Sequence, residues 1–231
     1  DRTPSGDIAL TREGGHHTDR IAHAGGDATG WEILRALVEE VGEKIQVIEH
    51  ALVLDILQDA TGATQGVTLH VIGEGQIDGV GAILAPAVVL ATGGIGQVFR
   101  ASTNPPVATG DGVGAGLRAG AAVADMEFVQ FHPTVMYLGA QASGQQPLVS
   151  EAVRGEGATL LDDHGQRFMA GVHPLEELAP RDVVAKAIMR RMRETGAEHV
   201  WLDGRRIDWA NRFPTILATC REHGIDPSLD L

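Results

Sequence analysis

The sequence predicts a mixed fold, α/β in its first half and α+β in its second, and three observations carry that expectation. A helix signal opens at Asp27-Ala28-Thr29-Gly30, then places Ile33, Leu34, Leu37, Val38 and Val41 at three-four spacing up to Gly42, with acidic residues on the other face. Four short β-rich runs follow, at 45–48, 51–56, 66–72 and 81–90, separated by turn residues such as Asp59-Ala60-Thr61-Gly62 and Gly73-Glu74-Gly75. After Met126 the character changes to helix and loop, which sets a boundary near residue 125 between a domain at 1–124 and another at 125–231.

The fourth β-rich run ends in Ala91-Thr92-Gly93-Gly94. A buried strand ending in consecutive glycines lets the backbone of an α/β sheet approach a ligand at the strand's carboxyl end; a tight turn without a ligand is the alternative. From Gly110 to Gly120 a helix dense in small residues is expected. Gly110, Gly112 and Ala115 formally satisfy G-x-G-x-x-A, but the segment 102–109 before them reads as a Pro-containing loop, so this is not a nucleotide fingerprint. Asp111 suits an N-terminal cap, and equally a carboxylate that accepts from a ribose or ribityl hydroxyl. Later, Val183, Val184, Ala187, Ile188 and Met192 mark one face of a helix over 181–195; Val200-Trp201-Leu202 reads as a strand, and 209–223 as a final helix before Gly224 and Pro227.

With 43% hydrophobic and 21% charged residues in 231, the chain has the composition of an ordinary globular protein. Its formal charge of −13 argues against nucleic acid or an anionic membrane as a partner. The longest apolar run, 82–91, is about half of what a bilayer-spanning helix needs, and no charged-then-apolar leader opens the chain. Cys220, the single cysteine, pairs with no second thiol, which fits a reducing, cytoplasmic compartment. His16, His17 and His23 do not form a metal set: adjacent histidines point to opposite sides of an extended chain.

The stretch Leu148-Val149-Ser150-Glu151-Ala152-Val153-Arg154-Gly155-Glu156-Gly157 is the most informative, flanked by Gln130-Phe131-His132-Pro133-Thr134 and Pro180-Arg181-Asp182. It gathers a histidine, a carboxylate and two guanidiniums in an otherwise acidic chain. Histidine and serine hold a carboxylate, arginine holds one by a two-pronged fork, and Glu151 and Arg154 share a helix face at three-residue spacing. Such a set suits a dianionic substrate.

These segments, together with Thr11-Arg12-Glu13-Gly14-Gly15-His16, Val89-Leu90-Ala91-Thr92-Gly93-Gly94, Thr109-Gly110-Asp111-Gly112, Met126-Glu127-Phe128-Val129 and Leu178-Ala179, closely resemble the succinate dehydrogenase/fumarate reductase flavoprotein family, in order and over nearly the whole chain. Within it the chain looks most like the branch that acts on L-aspartate. The resemblance implies part of a Rossmann-like FAD-binding domain at 1–124, followed by a capping, substrate-covering domain at 125–231. It implies FAD-dependent oxidation of L-aspartate to iminoaspartate, the first step towards quinolinate in NAD biosynthesis. Oxygen or fumarate reoxidises the flavin, and a quinolinate synthase stands downstream. A fumarate reductase or succinate dehydrogenase flavoprotein is the alternative.

Carried over residue by residue, the resemblance makes Arg181 the proton-transfer group, with Glu151 and Arg154 as a relay to solvent. His132 and Ser150 then bind a substrate carboxylate; Ser150 stands where the family usually has threonine. Glu13 faces the substrate's α-ammonium, an assignment that disfavours succinate, although a solvated loop glutamate is its other reading. Gly14, Gly15, Thr92, Gly93, Gly94 and Asp111 become cofactor-binding. One tension stands out: a guanidinium with a pKa above ~12 is a poor proton carrier unless desolvation or neighbouring cations act on it. The family's G-x-G-x-x-G loop, a further substrate histidine and arginine, and a second FAD-binding glycine segment have no counterpart in 1–231. The chain is therefore expected to be an internal fragment that retains no FAD and is inert alone.

Overall fold

A computed structural model describes residues 1–42, 44–73 and 79–231. Its elements in order are β1 (Leu10–Thr11), β2 (Ile21–Ala22), α1 (Thr29–Val41), β3 (Ala51–Gln58), β4 (Thr64–Val71), β5 (Gly79–Leu84), β6 (Ala101–Ser102), α2 (Asp111–Arg118), β7 (Gly144–Gln145), α3 (Glu151–Gly155), β8 (Thr159–Leu161), α4 (Arg181–Thr195), β9 (Trp201–Asp203), α5 (Trp209–Arg212) and α6 (Pro214–Glu222). Contacts divide the chain into two compact units. One holds Asp1–Glu40, Gln130–Ala142 and Gln146–Leu231; the other holds Val41–Val129 and Ser143–Gln145.

The first unit owes its shape to two apolar clusters. Val153 and Ala158 pack with Trp209, Phe213, Ile216, Leu217 and Cys220. Leu160 and Met169 pack with Ala179 and the α4 residues Val184, Ala187 and Ile188. Leu202, on β9, touches both clusters, and β9 pairs antiparallel with β8. The three-four spacing on α4 thus buries the face the sequence marks. One long C-terminal helix does not form. Pro214 starts α6 at its first turn, where its missing N–H costs nothing, and α5 ends at Arg212. Asp27 accepts from Thr215 N at 3.0 Å and Ile216 N at 2.9 Å, capping α6 from outside its own helix.

The second unit is built on an antiparallel sheet ordered β3-β4-β5. The β3–β4 turn is held by Asp59, whose carboxylate accepts from Thr61 N at 2.8 Å and Ala63 N at 3.1 Å. One expected strand is absent and another is cut short. Residues 45–48 form none, with Ile45 and Val47 exposed. The 81–90 run stops at Leu84, and Val89 beyond it is 89% exposed, so no buried strand leads into Gly93-Gly94. β-branched composition makes a strand only where a neighbour supplies the hydrogen-bond ladder, and no described residue does so here. The turn expected at Gly73-Glu74-Gly75 lies largely outside the described residues. The pattern on α1 is correct in period, yet Trp31, Ile33, Leu34, Leu37 and Val38 are exposed. Among the described residues, no helix is long and apolar enough to cross a membrane.

Candidate active site

The charged stretch folds as the short helix α3. Ser150 is its N-cap, and the hydroxyl oxygen accepts from Ala152 N at 3.2 Å. That bond uses a lone pair and leaves the Oγ–H to donate elsewhere. Val153 faces the apolar cluster, which turns Glu151 and Arg154 together into the interior of the unit. The helix ends against the segment that follows β1: a Cβ on Gly155 would lie 2.5 Å from Arg12 O, so only glycine lets the 12–15 segment approach this closely.

Glu151, 3% exposed, stands between two guanidiniums. Its Oε1 accepts from Arg154 Nη2 at 3.0 Å, and its Oε2 from Arg181 Nε at 2.9 Å. Arg181 is the first residue of α4; Gln130 Oε1 accepts from its Nη1 at 3.1 Å. Arg154, 1% exposed, donates from Nη1 to Glu177 O, and its buried Nε has no partner among the described residues. Burial pulls the Arg154 pKa below its ordinary value, against the opposing pull of the Glu151 carboxylate. The expected trio therefore forms one line, with the half-exposed Arg181 at one end and the sealed Arg154 at the other.

His132 is in the same unit. Its Nδ1 meets Thr134 O at 2.8 Å and Thr134 N at 3.2 Å, so that nitrogen is occupied whichever tautomer is present, and Nε2 is left for a ligand. Burial lowers its pKa, and the bond to the Thr134 carbonyl opposes this. Glu13 is half-buried, and its carboxylate makes no hydrogen bond or ion pair among the described residues. Gly14 is buried beside Arg154: a Cβ there would lie 3.4 Å from Nη1. Gly15 N donates to Leu178 O at 2.8 Å.

The other cofactor candidates lie in the second unit. Thr92, Asp111 and Gly112 line a cleft of about 1130 Å³ whose other walls include Leu52, Val53 and Leu90. Gly112 is needed there, because a Cβ would fall 1.9 Å from Thr92 Oγ1. Gly93 adopts a left-handed φ of 74°. The cap of α2 is Gly110, not Asp111, and no side chain bonds the helix N-terminus. Asp111 is the first helical residue, and its carboxylate accepts from the Thr109 hydroxyl. Exposed hydroxyl and carboxylate groups, free helical N–H groups and apolar walls make a donor set that fits a nucleotide.

Three contributors were not selected from sequence as site residues. Gln130 and the Thr134 backbone orient Arg181 and His132, and Glu177 gives Arg154 its second acceptor. Gln130 was within reach, being two residues from His132 in the resembling motif. The part played by Glu177 was not, because it acts through a main-chain carbonyl.

A family model described as FAD binding domain matches residues 1–228. The chain belongs to the FAD-binding domain family. Members named L-aspartate oxidase include that of Streptomyces coelicolor, 69% identical over 98% of this chain and 40% of its own length, and that of Mycobacterium bovis, 50% identical over 98% and 42%. A mutated form of the E. coli quinol fumarate reductase superposes with a TM-score of 0.85 at 33% identity, covering 98% of this chain and 41% of that one. The chain thus spans about 40% of the length of the curated relatives it matches. The groups lining the cleft beside α2 fit the FAD named in that family's description.

Proposed function

We propose that this chain supplies the acid–base and carboxylate-binding part of a FAD-dependent enzyme that oxidises L-aspartate to iminoaspartate. The observation that carries this reading is the Arg181–Glu151–Arg154 line, buried at Glu151 and Arg154, in the same unit as His132, Ser150 and Glu13. The identities to proteins named L-aspartate oxidase support it. When bound, FAD accepts the hydride that leaves the substrate α-carbon. Thr92, Gly93, Gly94 and Asp111 would hold it.

His132 Nε2–H and Ser150 Oγ–H hold one substrate carboxylate, and the capping bond of Ser150 fixes that hydroxyl's direction. Glu13 receives the α-ammonium and fixes which carbon faces the flavin. Arg181 takes the proton that the substrate loses at its guanidinium edge as its own Nε proton passes to Glu151 Oε2, already bonded to it. Arg154 braces the other oxygen of Glu151 and so fixes the direction of Oε2 towards Arg181.

The division at residue 125 into a partial FAD-binding domain and a substrate-covering domain belongs to this proposal, as does inertness of the chain in isolation. So do a cytoplasmic location, oxygen or fumarate as oxidant of the flavin, and a quinolinate synthase as consumer of the product.

A fumarate reductase is the second reading, favoured by the structural similarity to that enzyme. Glu13 separates the two, since a dicarboxylate without an amine leaves its charge unmatched. In the full-length enzyme, Glu13→Gln should raise the KM for L-aspartate at least tenfold and leave fumarate reduction equal or faster. Equal losses on both substrates would make Glu13 structural and remove the case for an amine substrate.

A further inference from the structure

Arg167 lies between β8 and the turn 175–178 and clamps that turn from outside. Its Nε donates to Glu177 Oε1 at 2.8 Å, and its Nη2 donates to Glu177 Oε2 and to Glu176 Oε2. The turn needs holding, because Glu176 sits at φ 48°, a left-handed conformation unfavourable for a residue with a Cβ. Glu177 is 4% exposed and its Oε1 also accepts from Leu160 N at 3.3 Å, so the carboxylate is fixed from two sides.

The turn presents two carbonyls to the acid–base line. Glu177 O accepts from Arg154 Nη1, and Leu178 O accepts from Gly15 N at 2.8 Å. Arg154 has five N–H groups and finds acceptors in Glu151 and Glu177 O; its Nε has none. The same short turn therefore anchors the inner cation of the line and the loop that carries Glu13.

We infer that Arg167, which is 43% exposed on its side chain, is a positioning residue for proton transfer: its fork on Glu176 and Glu177 holds the carbonyls that set Arg154 and the Glu13 loop in place. The inference rests on the proposed role of the Arg181–Glu151–Arg154 line. Without the clamp Glu177 O moves, Arg154 loses one of its two acceptors, and the Glu151 carboxylate that Arg154 braces loses its fixed direction towards Arg181 Nε. Proton passage between Arg181 and Glu151 then slows, while His132 and Ser150 bind the substrate carboxylate as before.

The test uses the full-length, FAD-loaded enzyme with L-aspartate. Arg167→Met should lower kcat about ten- to a hundredfold, the scale of one lost charge-assisted hydrogen bond. It should change KM less than about threefold and move the rate-limiting ionisation in the pH profile of kcat. Arg167→Lys, which keeps the charge and loses the fork, should recover part of kcat. A Met variant with parental kcat and pH profile but a lower melting temperature overturns the inference, since Arg167 then only staples the fold. If Arg167→Met does not fold, Glu176→Gln removes one arm at a partly exposed carboxylate and should shift kcat and its pH profile the same way to a smaller extent; no shift overturns the inference. Arg181→Lys in parallel separates the layers: near-normal kcat there removes the reading beneath, whereas a collapsed kcat beside an unaffected Arg167→Met removes this inference alone.

Discussion

The two units prepare their sites in opposite ways. In the first, Glu151, Arg154, Arg181, Gln130 and Glu177 are bonded to one another, so the protein itself holds each charge of the acid–base line before any ligand arrives. In the second, the cleft beside α2 is made of apolar walls, glycine backbone and exposed polar groups with few bonds among themselves. Charge chemistry needs pre-oriented partners, because a buried ion without one costs several kcal/mol. Holding a large group needs room and unused donors instead.

The largest stability effect should fall on the first unit. Arg154→Met leaves Glu151 buried with Arg181 as its sole cation and should cost about 3–5 kcal/mol in urea unfolding. A loss below 1 kcal/mol would show that the line is not the interlocked element described. In the second unit the sensitivity lies in space. Gly112→Ala places a Cβ 1.9 Å from Thr92 Oγ1 and should cost about 1–3 kcal/mol while weakening FAD retention by the full-length enzyme. Gly114→Ala, on the same helix, meets only the flexible end of Arg118 at 3.4 Å and should be neutral or stabilise by about 0.5–1 kcal/mol. Equal effects at the two glycines would contradict the close Thr92 contact.

The smallest effect is a pH dependence. Burial alone would raise the Glu177 carboxyl, but the hydrogen bond from Arg167 leads a set of contacts that hold it below its ordinary value of 4.5. A depressed carboxyl stabilises the fold above its unfolded pKa and loses that contribution as pH falls through the folded value, so acid should loosen the turn below about 4.5. His132 is also depressed, chiefly by burial, so its contribution is complete above 6.5 and declines as pH falls below it. Thermal melts should therefore show a shallow decline below 6.5 and a steeper one below 4.5. In Glu177→Gln the steeper step should shrink; an unchanged step assigns it to other carboxylates.

The same contrast explains what was legible in the sequence. The acid–base residues could be read because their types and spacing are fixed by chemistry: Glu151 and Arg154 share a helix face, and α4 places Arg181 at its first position over an apolar face of clear period. The helices α1, α2 and α4 were readable for the same reason, periodicity being local. The strands were less so. Residues 45–48 and 85–90 have strand composition, but a ladder depends on a distant neighbour that composition does not reveal. The break at Pro214 was visible as a residue and overridden by the apolar pattern around it. Of the two readings of Asp111, a cap and a cofactor carboxylate, the first does not hold, because Gly110 takes the cap position with a left-handed φ of 84°. The Glu177 carbonyl was illegible, since main-chain acceptors leave no trace in residue identity, and the Arg167 clamp was illegible because it joins side chains nine and ten residues apart through a loop with no local period.

The most direct test of the central claim, that Arg181 moves a proton and is not merely a carboxylate anchor, is Arg181→Lys in the full-length enzyme, followed by anaerobic flavin reduction with L-aspartate. The substitution keeps a cation and loses the fork that Glu151 and Gln130 orient. The account predicts a flavin reduction rate lower by at least about a thousandfold, with substrate still perturbing the flavin spectrum through His132 and Ser150. A lysine variant with a raised KM and near-parental reduction rate at saturating L-aspartate would contradict it, and the relay roles of Glu151 and Arg154 would go with it.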